Sequence, residues 1–247
     1  MATTHNWNNR GLAGPLCTIM LMAVMGLAAL WLARPVSASD GQATVTADAR
    51  AELQDVTAAL GRVTAVKTIP AAVVDKALGV AVFDNLVKAA FIVGGTGGDG
   101  VFMPRAPGGG WGAPAFVNLA GASIGAQIGG SKTDAVLFFM DQASIDALKT
   151  GKFEFGTSIM ANAGPTTATA ETLSRSTLKG VYVYARRDGL FAGASANGTT
   201  IRLDDEENRA VYGARTADLI TGQVDTPTGL ESLGHALKAL IKPAGSN

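Results

Sequence analysis

Between Gly79 and Met140 the chain is a series of short apolar or alternating runs, GVAVF, KAAFIVGG, GVFMP, PAFVNLAG and AVLFFM, separated by glycine and proline. Runs of this length and punctuation read as strands and turns. Most of the gaps are too short for helical crossovers, so the predicted sheet is largely antiparallel. KFEFGTSIMA predicts another strand, and GVYVYARRDGLFAGASANGTTIRLD at least three more, with Asn197-Gly198 as a hairpin turn. Helical spacing lies on either side of this block. Ala49, Leu53, Val56, Leu60 and Val63 recur at four- and three-residue steps, with Thr46 or Asp48 as the cap. A short helix fits Pro70 to Leu78 with Pro70 in its first turn, and another fits Asp141 to Leu148. Arg209 to Leu219 and Gly229 to Ile241 also read as helical, the latter with Leu230, Leu233, Leu237 and Leu240 on one stripe. The fold class is α+β: a largely antiparallel, glycine-rich β-sheet core flanked by N-terminal and C-terminal helices.

The N-terminus limits the chemistry. Arg10 precedes an uncharged apolar run from Leu16 to Ala33, Arg34-Pro35 breaks it, and Val36-Ser37-Ala38 supplies the small residues of a signal-peptidase site. Cleavage after Ala38 is the expectation, and a retained anchor is the alternative, because the run approaches the ~20 residues that span a bilayer. Cys17, the one cysteine, lies inside the run after Leu16, which is not a lipoprotein arrangement. A mature chain then has no thiol and only His235 among histidines, so no His/Cys metal site is available and no cofactor is expected. Losing Arg10 and Arg34 leaves 18 basic against 20 acidic side chains, which offers nothing for nucleic acid.

Several motifs suggest enzymes. Gly95 to Gly100 satisfies G-x-G-x-x-G, but VFMPRAPGGG follows where a dinucleotide site needs a helix, and a glycine hairpin is the better expectation. Gly129-Gly130-Ser131-Lys132-Thr133 lacks the glycine before lysine that a phosphate-binding loop requires. Gly121-Ala122-Ser123-Ile124-Gly125 is a formal nucleophile elbow, with His235 late enough in the chain to complete a triad. Its continuation, with glycine or alanine at nearly every second position to Gly129, reads instead as a strand packed closely on a neighbour. The acidic run from Asp204 to Glu207 lacks the spacing of a calcium loop and reads as a solvated turn capping a helix.

Five collinear stretches carry a more specific signal: KALGVAVFDNLVKAAFIVGGTGGDGVF (76–102), GWGAPAFVNLAGASIGAQIGGSKTDAVLFF (110–139), GPTTATAET (164–172), YVYARRDGLFAGASANG (182–198) and DDEENRAVYG (204–213). Together they resemble the SYLF domain, a lipid-binding family of fungal and animal endocytic proteins and of bacterial exported proteins. The resemblance implies phospholipid binding without catalysis, helped by a preceding amphipathic helix. In this chain Thr166-Thr167 replace the small hydrophobic residue and glycine usual after Gly-Pro. The helix at 46–63 sets Arg50 and Arg62 against Asp48, Glu52 and Asp55, so charge gives it little hold on a membrane. Its apolar face is open to two readings, membrane contact or packing on the sheet.

The expected organisation is a signal peptide at 1–38, an N-terminal helical segment at 39–75, a SYLF-like domain at 76–215 and a C-terminal helical tail at 216–247. Lys76, Lys88, Arg186 and Arg187 are the candidate lipid-contacting residues, as cations able to meet a phosphate. The expected function is a non-enzymatic phospholipid-binding protein of the bacterial cell envelope, exported to the periplasm, with a phospholipid or membrane surface as partner. The actin binding of eukaryotic relatives is not expected here. The alternatives are a serine ester hydrolase centred on Ser123 and a structural envelope protein acting through protein–protein contacts.

Overall fold

The computed structural model describes residues 45–151, 153–156, 159–167, 179–186 and 198–241. The expected signal segment, Arg187 and Asn197 lie outside the described residues. Two long strands dominate. β1 (Gly79–Pro104) and β2 (Ala115–Phe139) pair antiparallel from Gly79↔Phe139 to Phe102↔Ala115. The five runs that read as separate strands are therefore stretches of two, three on β1 and two on β2, and Gly95–Gly100 is not a hairpin turn. These glycines pair in register with Ala122 through Val117.

Two irregularities replace the expected breaks. One extra residue enters β1 between Phe83 and Leu86, where Asn85 takes φ 46°, and a second shift falls between Phe91 and Val93. Bulges of this kind bend and twist a strand without ending it. As a result β1 returns on itself. The Arg105 N–H donates to Leu78 O at 2.8 Å, so the two ends of the strand meet. A Cβ on Gly98 would stand 2.9 Å from Leu86 Cδ2, and one on Gly100 would stand 2.5 Å from Val82 O. Gly100 also lies against the Phe83 ring, and Gly79 against that of Phe102. The glycine run is therefore needed where one half of β1 packs on the other.

The second edge of β2 takes two partners. β5 (Val181–Ala185) pairs with Ala135–Phe139, and β6 (Thr199–Leu203) with Val117–Gly121. β3 (Phe153–Glu154) extends β6, and β4 (Ala161–Ala163) joins β5 as the parallel pair. Gly121 fits the expectation of close packing, since a Cβ there would lie 2.6 Å from Thr199 Oγ1.

Helices cover the sheet. α1 (Ala47–Thr64) is capped by Thr46, whose hydroxyl accepts from Ala49 N, and it buries all five residues of the predicted stripe. That apolar face is spent on the core, which settles the question of its packing. α2 (Ala71–Lys76) starts after Pro70, which occupies the cap and not the first turn. α3 (Gln142–Lys149) is capped by Asp141. α4 (Asp205–Tyr212) begins earlier than expected, because Asp204 caps it and three acids occupy its first turn, where the helix dipole favours them. Gly213, at φ 68° and ψ −133°, ends it, and a 3-10 turn (Gly213–Thr221) replaces the predicted continuation. α5 (Ser232–Ile241) buries Leu233 and Leu237, with Leu230 just before it. It touches α1 through Thr57 and Ser232, whose hydroxyl oxygens are 3.3 Å apart. Phe102, Phe139, Phe153 and Phe155 meet edge to face at centroid distances of 4.8–5.3 Å and fill the centre.

The two classes of glycine separate under substitution. Gly100→Ala is expected to cost about 3 kcal/mol by overpacking, a fall of roughly 6–12 °C in melting temperature. Gly61→Ala, in an open position of α1 with nothing within 4 Å, is expected to gain roughly 0.5–1 kcal/mol from helix propensity. Thermal denaturation of both variants checks the pair.

Candidate functional site

The β1–β2 connection is organised by Arg105. Its guanidinium donates to Ala77 O at 3.0 Å, Asp75 O at 3.2 Å, Gly109 O at 3.2 Å, and at close range to Val74 O. These are carbonyls at the C-terminal end of α2 and one from the loop itself, so a cation from the loop helps to cap α2. Burial holds the Arg105 pKa below its usual value, with Asp75 pulling the other way. Trp111 lies flat on this guanidinium at 3.8 Å. Its indole N–H is buried with no hydrogen-bond partner among the described residues, so stacking and not a polar contact fixes the ring.

Between this loop and α5 lies a predominantly apolar groove of about 800 Å³. Met103, Trp111, Ala239 and Ile241 line it, with Gly234 in its wall. The polar lining comprises Arg105, Thr226, Glu231, His235 and Lys238. The volume is that of a pocket for one small organic ligand. Arg105 is committed to the α2 carbonyls, and Glu231 accepts from Gly229 N at 2.8 Å. Lys238, with the imidazole of His235 beside it, is the cation left at the rim, both side chains being exposed on α5.

The four predicted contact residues do not form one site. Lys76 closes α2 and is exposed; it follows Asp75, whose carbonyl Arg105 holds, and so stands at the groove end of the molecule. Lys88 is half-buried well inside β1, opposite Ser131, and does not bracket a short strand with Lys76. Nine strand residues, roughly 30 Å of chain, separate it from Gly79. Arg186 follows β5 and is paired with Asp134. Arg187 lies outside the described residues.

Asp134 is a node that the sequence reading missed. Its side chain is 1% exposed. Arg62 grips it through two bonds, Nε to Oδ2 at 2.8 Å and Nη2 to Oδ1 at 3.1 Å, and Arg186 Nε stands 3.4 Å from Oδ2. The N–H of bulge residue Asn85 donates to Oδ1 at 3.2 Å. Burial pushes this carboxyl up, but the Arg62 hydrogen bonds, the Asn85 N–H and the two positive charges outweigh it and hold the pKa below the usual value. Arg62→Ala leaves the buried carboxylate with the more distant Arg186 and the Asn85 N–H. It is expected to cost about 2–3 kcal/mol, seen as a matching shift in the urea midpoint.

A second acidic cluster lies under α1. Glu52, Asp48 and Asp99, with Asp204, Glu207 and Asn118, line a small cavity of about 170 Å³. Asn118 Nδ2 bridges Asp99 at 2.8 Å and Asp204 at 3.3 Å, and Thr46 Oγ1 donates to Glu207. Glu52 Oε1 is buried without a partner. Burial first, then the charges of Asp84, Asp99, Asp55 and Glu207, push Glu52 up to about 7. The neutral acid is thus the form the fold favours, and its contribution is lost as pH rises from the ordinary carboxylate range through about 7. Glu52→Gln is expected to match the parent near pH 4.5 and to exceed it at pH 8 by about 1–2 kcal/mol, a figure reduced for solvent screening. Melting temperatures across that range check the sign.

Neither enzyme motif has an enzyme's surroundings. Ser123 pairs with Gly94 inside β2, which runs on to Phe139, so no strand-to-helix elbow forms. His235 lies on α5 beside Met103 and Trp111, whereas Ser123 is eight residues, roughly 26 Å of strand, beyond Ala115. Gly129–Thr133 is strand as well.

Comparison with known proteins identifies the family. A family model described as Las17-binding protein actin regulator, Ysc84, matches residues 120–240. SH3 domain-containing YSC84-like protein 1 of Xenopus laevis is 32% identical over 181 residues, covering 71% of this chain and 54% of that protein. The Mus musculus protein of the same name is 33% identical over 180 residues, 71% of this chain and 53% of its own length. LAS seventeen-binding protein 3 of Saccharomyces cerevisiae is 32% identical over 179 residues, 70% of this chain and 39% of the relative. The chain thus spans about half the length, or less, of the curated relatives it matches. With its doubled glycine-rich strand and these matches, the chain belongs to the SYLF, or Ysc84-type, domain family.

Proposed function

We propose that this chain is a non-enzymatic phospholipid-binding protein of the bacterial cell envelope, exported to the periplasm behind a signal segment cleaved after Ala38. The observation that carries the reading is the 800 Å³ apolar groove with His235 and Lys238 at its rim, an arrangement suited to an amphiphile with an acidic head. The absence of an elbow around Ser123 counts against ester hydrolysis. The names of the relatives speak of Las17 binding and SH3 domains, and these belong to proteins about twice as long or longer. Actin and Las17 are therefore not carried over. Within this reading residues 76–215 form the SYLF domain, preceded by an N-terminal helical segment at 39–75 and followed by a C-terminal helical tail at 216–247; Leu53 and Leu60 of α1 and Leu233 and Leu237 of α5 belong to the same hydrophobic core.

Co-sedimentation of protein lacking residues 1–38 with vesicles tests this. Phosphatidylglycerol vesicles are expected to pellet the protein and phosphatidylcholine vesicles to pellet less, with the difference falling as salt is raised. No pelleting with any lipid composition overturns the reading.

A further inference from the structure

We infer that the groove beside α5 takes a free single-chain anionic amphiphile, one acyl chain along Met103, Trp111 and Ile241 with its acidic head at Lys238 and His235. This rests on the lipid-binding reading above and narrows it. The first argument is volume. A methylene displaces roughly the 30 Å³ of a water, so a chain of about sixteen carbons needs about 500 Å³ and two such chains about 1,000 Å³ before any head. The groove, at about 800 Å³, matches one chain and a small head, and a phospholipid would seat one of its two chains there.

The second argument is charge. Arg105 has four hydrogen bonds to backbone carbonyls and a ring on its face, and is closed to a ligand. Glu231 is engaged with Gly229 N. Lys238 and His235 lie three residues apart on α5, both exposed, so they share one side of the helix at the rim. An apolar floor with the Lys238 ammonium and the His235 imidazole, a hydrogen-bonding group, at one lip orients an amphiphile head-out.

The third argument is the wall. A Cβ on Gly234 would meet Met103 Cε at 3.4 Å and Trp111 Cβ at 4.0 Å, ordinary contacts. Glycine here is not demanded by packing, and it costs helix stability in α5. Its effect is to leave the groove open.

Trp111 supplies the assay, since Trp7 and Trp31 are the other tryptophans. In the full chain carrying Trp7→Phe and Trp31→Phe, Trp111 is the sole emitter. Dibrominated stearate is expected to quench it at one ligand per chain, with unbrominated palmitate competing. Gly234→Leu, which fills the groove from a tolerated Cβ, is expected to weaken quenching roughly tenfold or more, and Ala239→Phe gives an independent plug. Circular dichroism melts report whether each variant is folded. Lys238→Gln is expected to weaken stearate about fivefold while leaving a brominated fatty alcohol nearly unchanged. Vesicle pelleting without stearate quenching overturns the inference and leaves the phospholipid reading standing. Quenching by brominated phosphatidylglycerol vesicles but not by stearate also overturns it, as does quenching that survives both plugs in folded protein. Failure of both stearate and vesicles removes both readings.

Discussion

A strand of 26 residues, extended, would run roughly 85 Å, yet the residues flanking β1, Leu78 and Arg105, are hydrogen-bonded to one another. The strand has to bend, and its halves have to approach more closely than side chains normally allow. Gly98 and Gly100 make that approach possible by presenting bare backbone to Leu86, Phe83 and Val82. The core follows from this. Phe83 and Phe102 come from opposite halves of the strand and are both fully buried, with Phe139 of β2 edge-on to Phe102. The groove follows too, because doubling β1 brings its ends together and sets the 105–114 connection beside α2 and α5.

Bending requires an irregular backbone, and an irregular backbone leaves polar groups to be satisfied. Asp134 answers this at the Asn85 bulge. Its carboxylate takes the Asn85 N–H that the strand partner does not bond, and the charge this buries is met by Arg62 from α1 and Arg186 from the end of β5. Four elements thus meet on one carboxylate. Arg105 does comparable work at the other end of β1, where it bonds the carbonyls of Val74, Asp75 and Ala77 at the C-terminal end of α2. In both places a buried ionic group serves the backbone, which is why neither side chain is available to a ligand.

How much of this was legible in the sequence depended on the range of the interaction. α1 was readable because its stripe and Thr46 cap are local, and the run from Asp204 was readable as a cap for the same reason. The α+β class followed from the density of short apolar runs. Continuity of β1 was not readable: glycine ends strands and also lets strands touch, and only the partner at Val82–Leu86 decides between the two. Arg62, Asp134 and Arg105 were missed because their partners lie 28 to 72 residues away, and nothing local distinguishes a buried arginine from a solvated one. The groove was missed because its walls come from 103–111 and 226–241, which are joined only by the fold. Reading surface cations as contacts overlooked that Arg186 was already paired.

The energetics favour the groove over scattered cations as the source of affinity. A lysine near an anionic surface contributes about 1 kcal/mol, and Lys76, Lys88 and Arg186 do not converge on one site. Burying about ten methylenes contributes about 8 kcal/mol, enough to exceed the lower estimates of the association cost, about 4 kcal/mol. In the proposed complex the polar groups of Lys238 and His235 would select the head and the orientation more than they would supply the binding. By the same inequality the acidic patch beneath α1 would not keep the proposed acidic ligand from the groove. Those carboxylates line a different cavity, under α1 near Asp99 and Phe116, and a chain held by its apolar length does not need a basic protein around it.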